Sequence, residues 1–286
     1  MSHAQQSHFI SGLPRSGSTL LAAILKQNPR FHAGMTSPVG ALVNSMLSQF
    51  SAGSEFAPLI SQTQRRDLLR GVFSSYYAAQ ADKKTIFDTN RGWCGQMSLL
   101  LDLFPEAKVI ACVRNVAWVM DSLERRYRAN PYEHTKLFAD WNERATVESR
   151  VDTLAQRNRL VGFAWAALKE ACYGEHADRL LVVDYDLLTQ APAKVIELIY
   201  QFIGEPAFEH DFEHVEFDAP DFDAELGVHG LHKVKPRVEF VRRGTVLPPD
   251  VFARCAELDF WRKLDNSAAH VISAKAIPVS PVTAAG

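Results

Sequence analysis

The sequence predicts an α/β protein of three layers, in which helices cover both faces of a central parallel sheet of four to five strands. Two observations predict this architecture. Short apolar runs alternate along the chain with longer stretches of helical periodicity, which is typical of strands joined by helical crossovers. The apolar runs are almost continuous rather than alternating, as expected for strands buried on both faces. A chain of 286 residues, 47% of them hydrophobic, is long enough to bury such a core.

The predicted elements follow this alternation from the amino terminus. The strands are residues 8–12 (HFISG), 85–88 (TIFD), 108–113 (KVIACV) and 179–184 (RLLVVD). The helices cover residues 19–27, 39–49, 62–81, 96–104, 116–129, 151–174 and 192–203. An apolar stripe from Val151 to Cys172, at steps of three and four residues, predicts that 151–174 is one long core helix. Asn158 lies in that stripe, and we interpret it as a hydrogen-bonded core amide.

Composition and charge restrict the possible partners. Lys+Arg 31 against Asp+Glu 33 leaves a net charge of −2, so the surface has no general attraction for nucleic acid or anionic membranes. The amino terminus lacks the apolar core of a signal peptide, no apolar run reaches membrane-spanning length, and the four cysteines form no CxxC pair. We therefore expect a cytoplasmic protein with reduced, buried thiols that neither inserts into a membrane nor binds nucleic acid.

Two segments near the carboxyl terminus differ in composition from the rest. Residues 205–225 contain nine acidic residues and no Lys or Arg, and we interpret them as a solvated loop; the alternative is a surface that screens partners by charge. Residues 266–286 are rich in Ala, Ser and Pro. This composition predicts a flexible carboxyl-terminal tail after a single domain formed by residues 1–265.

A glycine-containing loop, GLPRSGST (residues 12–19), lies between the first predicted strand and the first predicted helix. Its glycines have the spacing of GxxxxGK[ST], a motif in which backbone N–H groups and the end of the helix bind phosphate. Ser18 stands where that motif has its lysine, and Arg15 provides positive charge from inside the loop. We interpret the segment as an anion-binding loop; the alternative is a turn that only links strand to helix.

A second group of residues suited to an anion follows the third predicted strand. Arg114 comes directly after this strand, and Ser122 and Arg126, four residues apart, share a face of the next helix. Two guanidinium groups and a hydroxyl make a clamp for a phosphate dianion. The alternative is an exposed basic helix face paired with Asp121 or Glu124. Together the two sites fit a nucleotide with a 5′ group and a separate 3′ phosphate, whereas ATP would need only the first.

These motifs resemble the 5′-phosphosulfate loop and the 3′-phosphate motif of the sulfotransferases that use 3′-phosphoadenosine 5′-phosphosulfate (PAPS). The segments LFPEAKVIACVRN, VVDYDLLTQAP and FVRRGTVLPPDV are similar to parts of the tyrosylprotein sulfotransferases. The resemblance implies a fold like that of the P-loop nucleotide hydrolases. It also implies donor contacts from the following residues: Pro14, Arg15, Ser16, Gly17, Ser18, Thr19, Arg114, Ser122, Arg126, Tyr185 and Arg242.

The activity that the resemblance implies is sulfuryl transfer from PAPS to an acceptor hydroxyl, leaving 3′,5′-adenosine bisphosphate. The acceptor could be a peptide tyrosine, a glycan or a small-molecule alcohol. Negative charge grows on the leaving oxygen and on the moving SO₃ group, so positioning and cations are expected to carry catalysis, without a metal. We expect Arg15 to be the main catalytic cation and Arg91, after the second predicted strand, to be the next.

The acceptor hydroxyl also needs a general base. Thr36 stands where the tyrosylprotein sulfotransferases have a glutamate. Cytosolic sulfotransferases have a histidine after the second predicted strand, where this chain has Asp88, so Asp88 is the candidate base and His229 and His232 are its rivals. Asp88 could instead orient Arg91 or cap the next helix.

Two other functions fit parts of the pattern. A P-loop nucleotide kinase would use ATP and magnesium, with Asp184 at the end of LLVVD holding the metal, but the motif lysine is absent. A nucleotide-binding module of the same fold that has lost its catalytic base would bind the donor without transferring sulfate.

Overall fold

The computed structural model describes residues 5–51, 53–129, 135–217, 223 and 232–272. At its centre lies one parallel sheet with the strand order β2-β3-β1-β4-β5-β6. The strands are β1 (Gln6–Gly12), β2 (Phe31–Ala33), β3 (Thr85–Thr89), β4 (Val109–Val113), β5 (Leu180–Asp184) and β6 (His270–Ile272). The predicted α/β architecture is confirmed, with six strands rather than four to five.

Helices cover both faces of this sheet. They are α1 (Ser18–Leu25), α2 (Val39–Phe50), α3 (Gln62–Tyr76), α4 (Met97–Leu103), α5 (Val116–Ala129), α6 (Trp141–Arg144), α7 (Val147–Ala155), α8 (Leu160–Tyr173), α9 (Tyr185–Gln190), α10 (Pro192–Ile203) and α11 (Pro249–Ala256). Successive strand residues enter two separate cores: Val109 packs with α5 and α8, whereas Ile110 packs with α1 and α10. This arrangement explains the continuous apolar runs, because side chains on both faces of each strand are buried.

The strands β2 and β6, which were not predicted, form the two edges of the sheet. Each has only three residues, too few for a periodic pattern to appear in the sequence. β6 pairs with Leu181–Val183 of β5, so the segment predicted as a tail from residue 266 contains a strand of the sheet. Residues 273–286 lie outside the part that the structure describes.

The prediction of one long helix over 151–174 is wrong, because α7 ends at Ala155 and α8 begins at Leu160. Gly162 explains the break. A Cβ on Gly162 would lie 2.2 Å from the carbonyl oxygens of Ala155 and Gln156, so the first turn of α8 packs against the end of α7 backbone to backbone. Asn158 lies in the connection and is exposed, not a core amide.

The acidic segment is also only partly a solvated loop. Glu209, Asp211 and Glu213 are exposed, as predicted. Glu205 is buried and pairs with Lys84 at 2.9 Å, and Asp223 is fully buried. The burial of these two carboxylates corrects the prediction at their positions. Of the other acidic residues, Asp218, Asp221 and Glu225 lie outside the described residues.

Candidate functional site

The loop after β1 reaches the carboxyl edge of the sheet, where β1 lies between β3 and β4. The connection after β1 leads to β2 on one side of the sheet, and the connection after β4 leads to β5 on the other. Open α/β sheets form their binding crevice where the connections diverge in this way. Gly12 has φ 107°, and a Cβ there would lie 2.1 Å from the carbonyl oxygen of Cys112, so only glycine lets the loop start this close to β4. Ser16 donates to the same oxygen at 2.8 Å and also contacts the carbonyl of Leu13. Its side chain therefore holds the loop on the sheet.

The loop ends at the amino terminus of α1. Gly17 is the N-cap residue with φ 94°, and no side chain caps the helix. The first intrahelical bond runs from the Leu21 N–H to the Gly17 carbonyl at 2.8 Å, so the N–H groups of Ser18 and Thr19 have no partner inside the helix. Backbone donors and the positive end of the helix thus face the crevice beside Arg15.

Arg15 joins the loop to the second predicted anion site. It adopts φ 59°, a left-handed conformation that is uncommon for a residue with a side chain. Its Nε donates to the hydroxyl of Ser122 over 3.2 Å. Burial first, and then the positive charges of Arg126 and Arg114, together lower the pKa of Arg15 to about 10, while Tyr185 and Asp223 oppose the shift. The guanidinium groups therefore lie close together, as in a site that holds an anion with several negative charges.

Arg114 follows β4 and lies over the ring of Tyr185, with its guanidinium carbon 4.4 Å from the ring centroid. This is a cation–π contact. Its Nε is buried without a hydrogen-bond partner among the described residues, 3.7 Å from a carboxylate oxygen of Asp186. The Tyr185 ring also lies against the loop, since a Cβ on Gly17 would lie 2.7 Å from the Cδ2 atom of Tyr185. Tyr185 thus contacts both predicted anion sites.

The late segment FVRRGTVLPPDV approaches α5 through Arg243 rather than Arg242. Arg242 is exposed. Arg243 pairs with Asp121 at 2.7 Å and lies over the ring of Trp118 at 5.7 Å. Burial lowers the pKa of Arg243, and the charge of Arg114 contributes to the lowering. The donor contact of Arg242 stays a prediction. Arg243 was not predicted, because two adjacent arginines in the sequence cannot be told apart by pattern.

Asp88 lies at the end of β3 and is buried among hydrogen-bond donors. Its carboxylate accepts from Ser37 and Tyr77, each at 2.6 Å, and from the indole N–H of Trp93 at 2.7 Å. Burial raises the pKa of the Asp88 carboxyl, and these three hydrogen bonds oppose the rise. The carboxylate ties the start of α2 to β3, which is a structural use of a residue that the sequence suggested as a base.

Arg91 follows Asp88 by three residues, whereas Thr36 belongs to the segment between β2 and α2. The Arg91 side chain reaches solvent, yet desolvation by the surrounding protein lowers its pKa, and no described residue forms an ion pair or a side-chain hydrogen bond with it. Thr36 is half-buried between β2 and α2. Arg91 is thus a cation without a carboxylate partner in the described structure.

Of the two rival histidines, His229 lies outside the described residues. His232 forms a hydrogen bond through Nδ1 to Asp223 at 2.6 Å, and its backbone N–H donates to the other oxygen of the same carboxylate at 2.9 Å. Asp223 is fully buried, and its charge raises the pKa of Arg15. The charge of this carboxylate thus acts on Arg15 in the predicted anion-binding loop, and no motif had indicated Asp223.

Asp184, the residue that a kinase would use to hold magnesium, has another role here. It is the N-cap of α9 and accepts from the backbone N–H of Asp186 at 2.8 Å. Burial and the charge of Asp186 raise the pKa of Asp184 to about 6. Within the described ranges, no three His, Cys, Asp or Glu side chains group in a way that could hold a metal ion, and no helix is long and apolar enough to cross a membrane.

A parallel sheet with a glycine-containing loop between its first strand and the amino terminus of its first helix is typical of the P-loop-like class of α/β proteins. A model of the sulfotransferase family matches residues 8–210. The chain belongs to this family. The nodulation protein NoeE of Sinorhizobium fredii (strain NBRC 101917 / NGR234) is 29% identical over 131 residues, 41% of this chain. The match spans only 30% of the length of that relative.

The solved structures to which this chain is similar include two sulfotransferase domains. The sulfotransferase domain from the curacin biosynthetic pathway has a TM-score of 0.51 at 16% identity, over 90% of this chain and 98% of that domain. The sulfotransferase domain from the Synechococcus PCC 7002 olefin synthase has a TM-score of 0.47 at 20% identity, over 90% of this chain and 96% of that domain. At 16% identity, the likeness to the curacin-pathway domain shows a shared fold alone.

Proposed function

We propose that the protein transfers the sulfuryl group of PAPS to an acceptor hydroxyl. The observation that carries this proposal is the hydrogen bond from Arg15 to Ser122, because it joins a 5′ anion loop to a separate clamp. A donor with phosphate groups at both ends of its ribose fits such a pair of sites. The buried Nε of Arg114 has only the 3.7 Å contact with Asp186 and no hydrogen bond among the described residues, and this supports the fit, since a bound phosphate oxygen could accept from it.

The proposed donor contacts follow from this arrangement. The N–H groups at the start of α1, with Arg15, would bind the 5′ phosphosulfate. Arg114, Ser122 and Arg126 would bind the 3′ phosphate by charge-assisted hydrogen bonds. Tyr185 would lie beside the adenosine, between the two. Pro14 and Ser16 would act by shaping the loop, since Pro14 is buried and the Ser16 hydroxyl donates to a carbonyl.

The chemical step is an in-line displacement at sulfur. The acceptor oxygen forms a bond to sulfur as the bond from sulfur to the 5′-phosphate oxygen breaks, and the acceptor proton passes to a base. Arg15 remains positive at neutral pH, since its pKa is about 10, and would stabilise the charge on the leaving phosphate. Arg91, a cation without a described carboxylate partner, would stabilise the SO₃ group in transfer.

For the base, we propose His232 in place of Asp88. The carboxylate of Asp88 already accepts three hydrogen bonds from the protein. In His232, a proton on Nδ1 in the bond to Asp223 leaves the ring lone pair on Nε2, which is the tautomer a general base needs. The buried Asp223 carboxylate would then stabilise the imidazolium that forms, as in catalytic triads.

A pH profile separates the two candidate bases. His232→Gln should lower kcat by about 100-fold and remove the acidic limb of the pH–rate profile, within the usual size of general-base effects. Asp88→Asn should lower stability while the acidic limb keeps its position. An acidic limb that survives in His232→Gln and vanishes in Asp88→Asn would reverse the assignment.

The activity itself is tested with ³⁵S-labelled PAPS and a panel of acceptors comprising tyrosine peptides, glycans and small alcohols, with and without magnesium. We expect labelled product from at least one acceptor class, without a need for magnesium. Tight binding of 3′,5′-adenosine bisphosphate without transfer to any acceptor would support the inactive nucleotide-binding module. Magnesium-dependent ATP binding would overturn the proposal in favour of a kinase.

We also propose that the protein works in a reducing compartment such as the cytoplasm. All four cysteines, Cys94, Cys112, Cys172 and Cys255, are buried and free. Buried thiols that pair with no other cysteine are typical of proteins kept under reducing conditions.

A further inference from the structure

Asp121 on α5 is a fully buried carboxylate that the proposed mechanism does not use. One of its oxygens accepts from the hydroxyl of Thr245 at 3.1 Å and from the backbone N–H of Val246 at 2.7 Å. The other accepts from Arg125 at 2.9 Å and pairs with Arg243 at 2.7 Å. Three of these four partners belong to one segment, residues 243–246.

The same segment is held at two further points by α5. Arg125 donates to the carbonyl of Gly244 at 2.6 Å, and Arg128 donates to the carbonyl of Val246 at 3.2 Å. Residues 243–246 therefore lie along α5 as an attached strap, without regular secondary structure of their own. Three α5 side chains hold this strap, Asp121, Arg125 and Arg128, and among them Asp121 alone is fully buried.

A buried aspartate inside a helix is costly. Aspartate is a poor helix former, and its charge must be compensated by hydrogen bonds when water is removed. An apolar side chain would serve the core at this position better, since the neighbouring Met120 and Leu123 are buried in it. We therefore attribute the presence of a carboxylate at this buried position to its contacts with the strap, and above all to its ion pair with Arg243.

We propose that Asp121 is a positioning residue that fixes Arg243 beside the predicted 3′-phosphate site. The guanidinium of Arg243 lies over the ring of Trp118, which is four residues before Ser122 and shares its face of α5, so Arg243 lies beside the predicted clamp. The ion pair with Asp121 and the contact with the Trp118 ring restrict the rotamers open to Arg243. An arginine held in this way adds charge at the site without losing conformational entropy when the donor binds. This inference rests on the proposed function, because it assumes a ligand with a 3′ phosphate.

Two nucleotides that differ only in the 3′ phosphate test it: 3′,5′-adenosine bisphosphate and adenosine 5′-monophosphate, titrated by calorimetry. Asp121→Asn should weaken binding of the bisphosphate by about 10-fold, the size of one charge-assisted hydrogen bond, and change monophosphate binding by less than about twofold. Arg243→Ala should show the same selective loss. The double variant should lose no more than about twofold beyond either single variant, because both changes remove one interaction.

Glu205→Gln is the matched control. Glu205 is also a buried carboxylate with two cationic partners, Lys84 and Arg30, but it lies beyond α10, away from the clamp. Its substitution should leave the ratio of the two nucleotide affinities unchanged. If Asp121→Asn does not fold, Arg243→Ala and Thr245→Val carry the same test from the strap.

The outcomes separate this inference from the function on which it rests. Wild-type protein that binds the bisphosphate no better than the monophosphate would overturn the proposed function. A second outcome is that the wild-type protein prefers the bisphosphate, but the variants keep this preference or lose both affinities equally. That result would overturn the role of Asp121 and leave the proposed function intact.

Discussion

The Nε of Arg15 donates a hydrogen bond to the hydroxyl of Ser122 over 3.2 Å, although 107 residues separate them in the chain. Arg15 lies in the loop after β1, and Ser122 lies on α5, two elements that the sequence treats as independent motifs. The bond makes them one site. A ligand that binds the loop must therefore lie within reach of the clamp formed by Arg114, Ser122 and Arg126.

Replacing Arg15 with alanine should abolish transfer. The variant removes the loop cation that we propose stabilises the leaving phosphate, and we expect kcat/KM to fall by at least about 1,000-fold, as for cations that stabilise phosphoryl transfer. Steady-state assays with ³⁵S-labelled PAPS measure this. Arg254→Ala, which removes an exposed arginine paired with Asp152, is the control and should keep the wild-type rate. A loss of less than tenfold in Arg15→Ala would remove Arg15 from the mechanism.

Arg126→Ala should mainly weaken donor binding. The guanidinium lies near Arg15 and on the same helix face as Ser122, so its loss removes charge from the 3′-phosphate clamp. We expect KM for PAPS to rise by about 10- to 100-fold, the range for hydrogen bonds to charged groups, with kcat changed much less. Equal donor affinity in the variant and the wild type would sink the assignment of this clamp.

Gly17→Ala should disturb both the backbone and the contact with Tyr185. The residue has φ 94°, and a Cβ would lie 2.7 Å from the Tyr185 ring. We expect the free energy of unfolding to fall by about 1–3 kcal/mol and donor binding to weaken by at least about tenfold. Urea denaturation and calorimetry measure the two effects.

Gly204→Ala is the control for the backbone contribution in that experiment. Gly204 has φ 72°, but a Cβ there would meet nothing within 4 Å. The variant should lose about 1 kcal/mol of stability, the cost of a left-handed residue with a side chain, and keep wild-type donor affinity. Equal effects of the two substitutions on donor binding would show that the contact with Tyr185 is unimportant.

Asp184→Asn should change how stability depends on pH. The folded-state pKa of Asp184, about 6, lies above its ordinary value of 3.8, so folding favours the protonated carboxyl. The stability that Asp184 contributes is thus fully present below pH 3.8 and is lost as the pH rises through about 6. Asparagine imitates the protonated form and still caps α9.

The Asn variant should therefore gain about 1 kcal/mol of stability relative to wild type between about pH 5 and about pH 8. Urea denaturation of both proteins at the two pH values measures this difference. A difference that is constant with pH, or that changes in the opposite direction, would contradict the burial of an ionisable carboxyl at the end of β5.

Local patterns predicted the parts of the fold and site that depend on near neighbours in the chain. The bounds of α5 and α10 match the predicted 116–129 and 192–203, because periodicity and proline signals mark both ends. The spacing of Ser122 and Arg126 predicted their common face for the same reason. The loop of Arg15 was predicted because its glycines lie between a clear strand and a clear helix.

Features that depend on distant residues could not be predicted. The donors to Asp88 come from three different elements, and only the folded chain brings Ser37, Tyr77 and Trp93 to one carboxylate. Arg242 and Arg243 cannot be told apart in the sequence, and only the ion pair with Asp121, more than 100 residues away, distinguishes Arg243. The break before α8 depends on the close approach of Gly162 to the end of α7, which an apolar stripe does not reveal.

The two short outer strands also determine how the protein behaves toward copies of itself. In the part of the chain that the structure describes, β2 and β6 contribute three residues each to the sheet edges, and so short an edge offers a neighbouring molecule few open backbone groups with which to extend the sheet. A chain shortened before His270 would uncover the apolar residues Leu181, Val182 and Val183 along the edge of β5. Such a truncation would expose the edge of β5 to strands of other molecules, and the protein would then be expected to aggregate through strand addition.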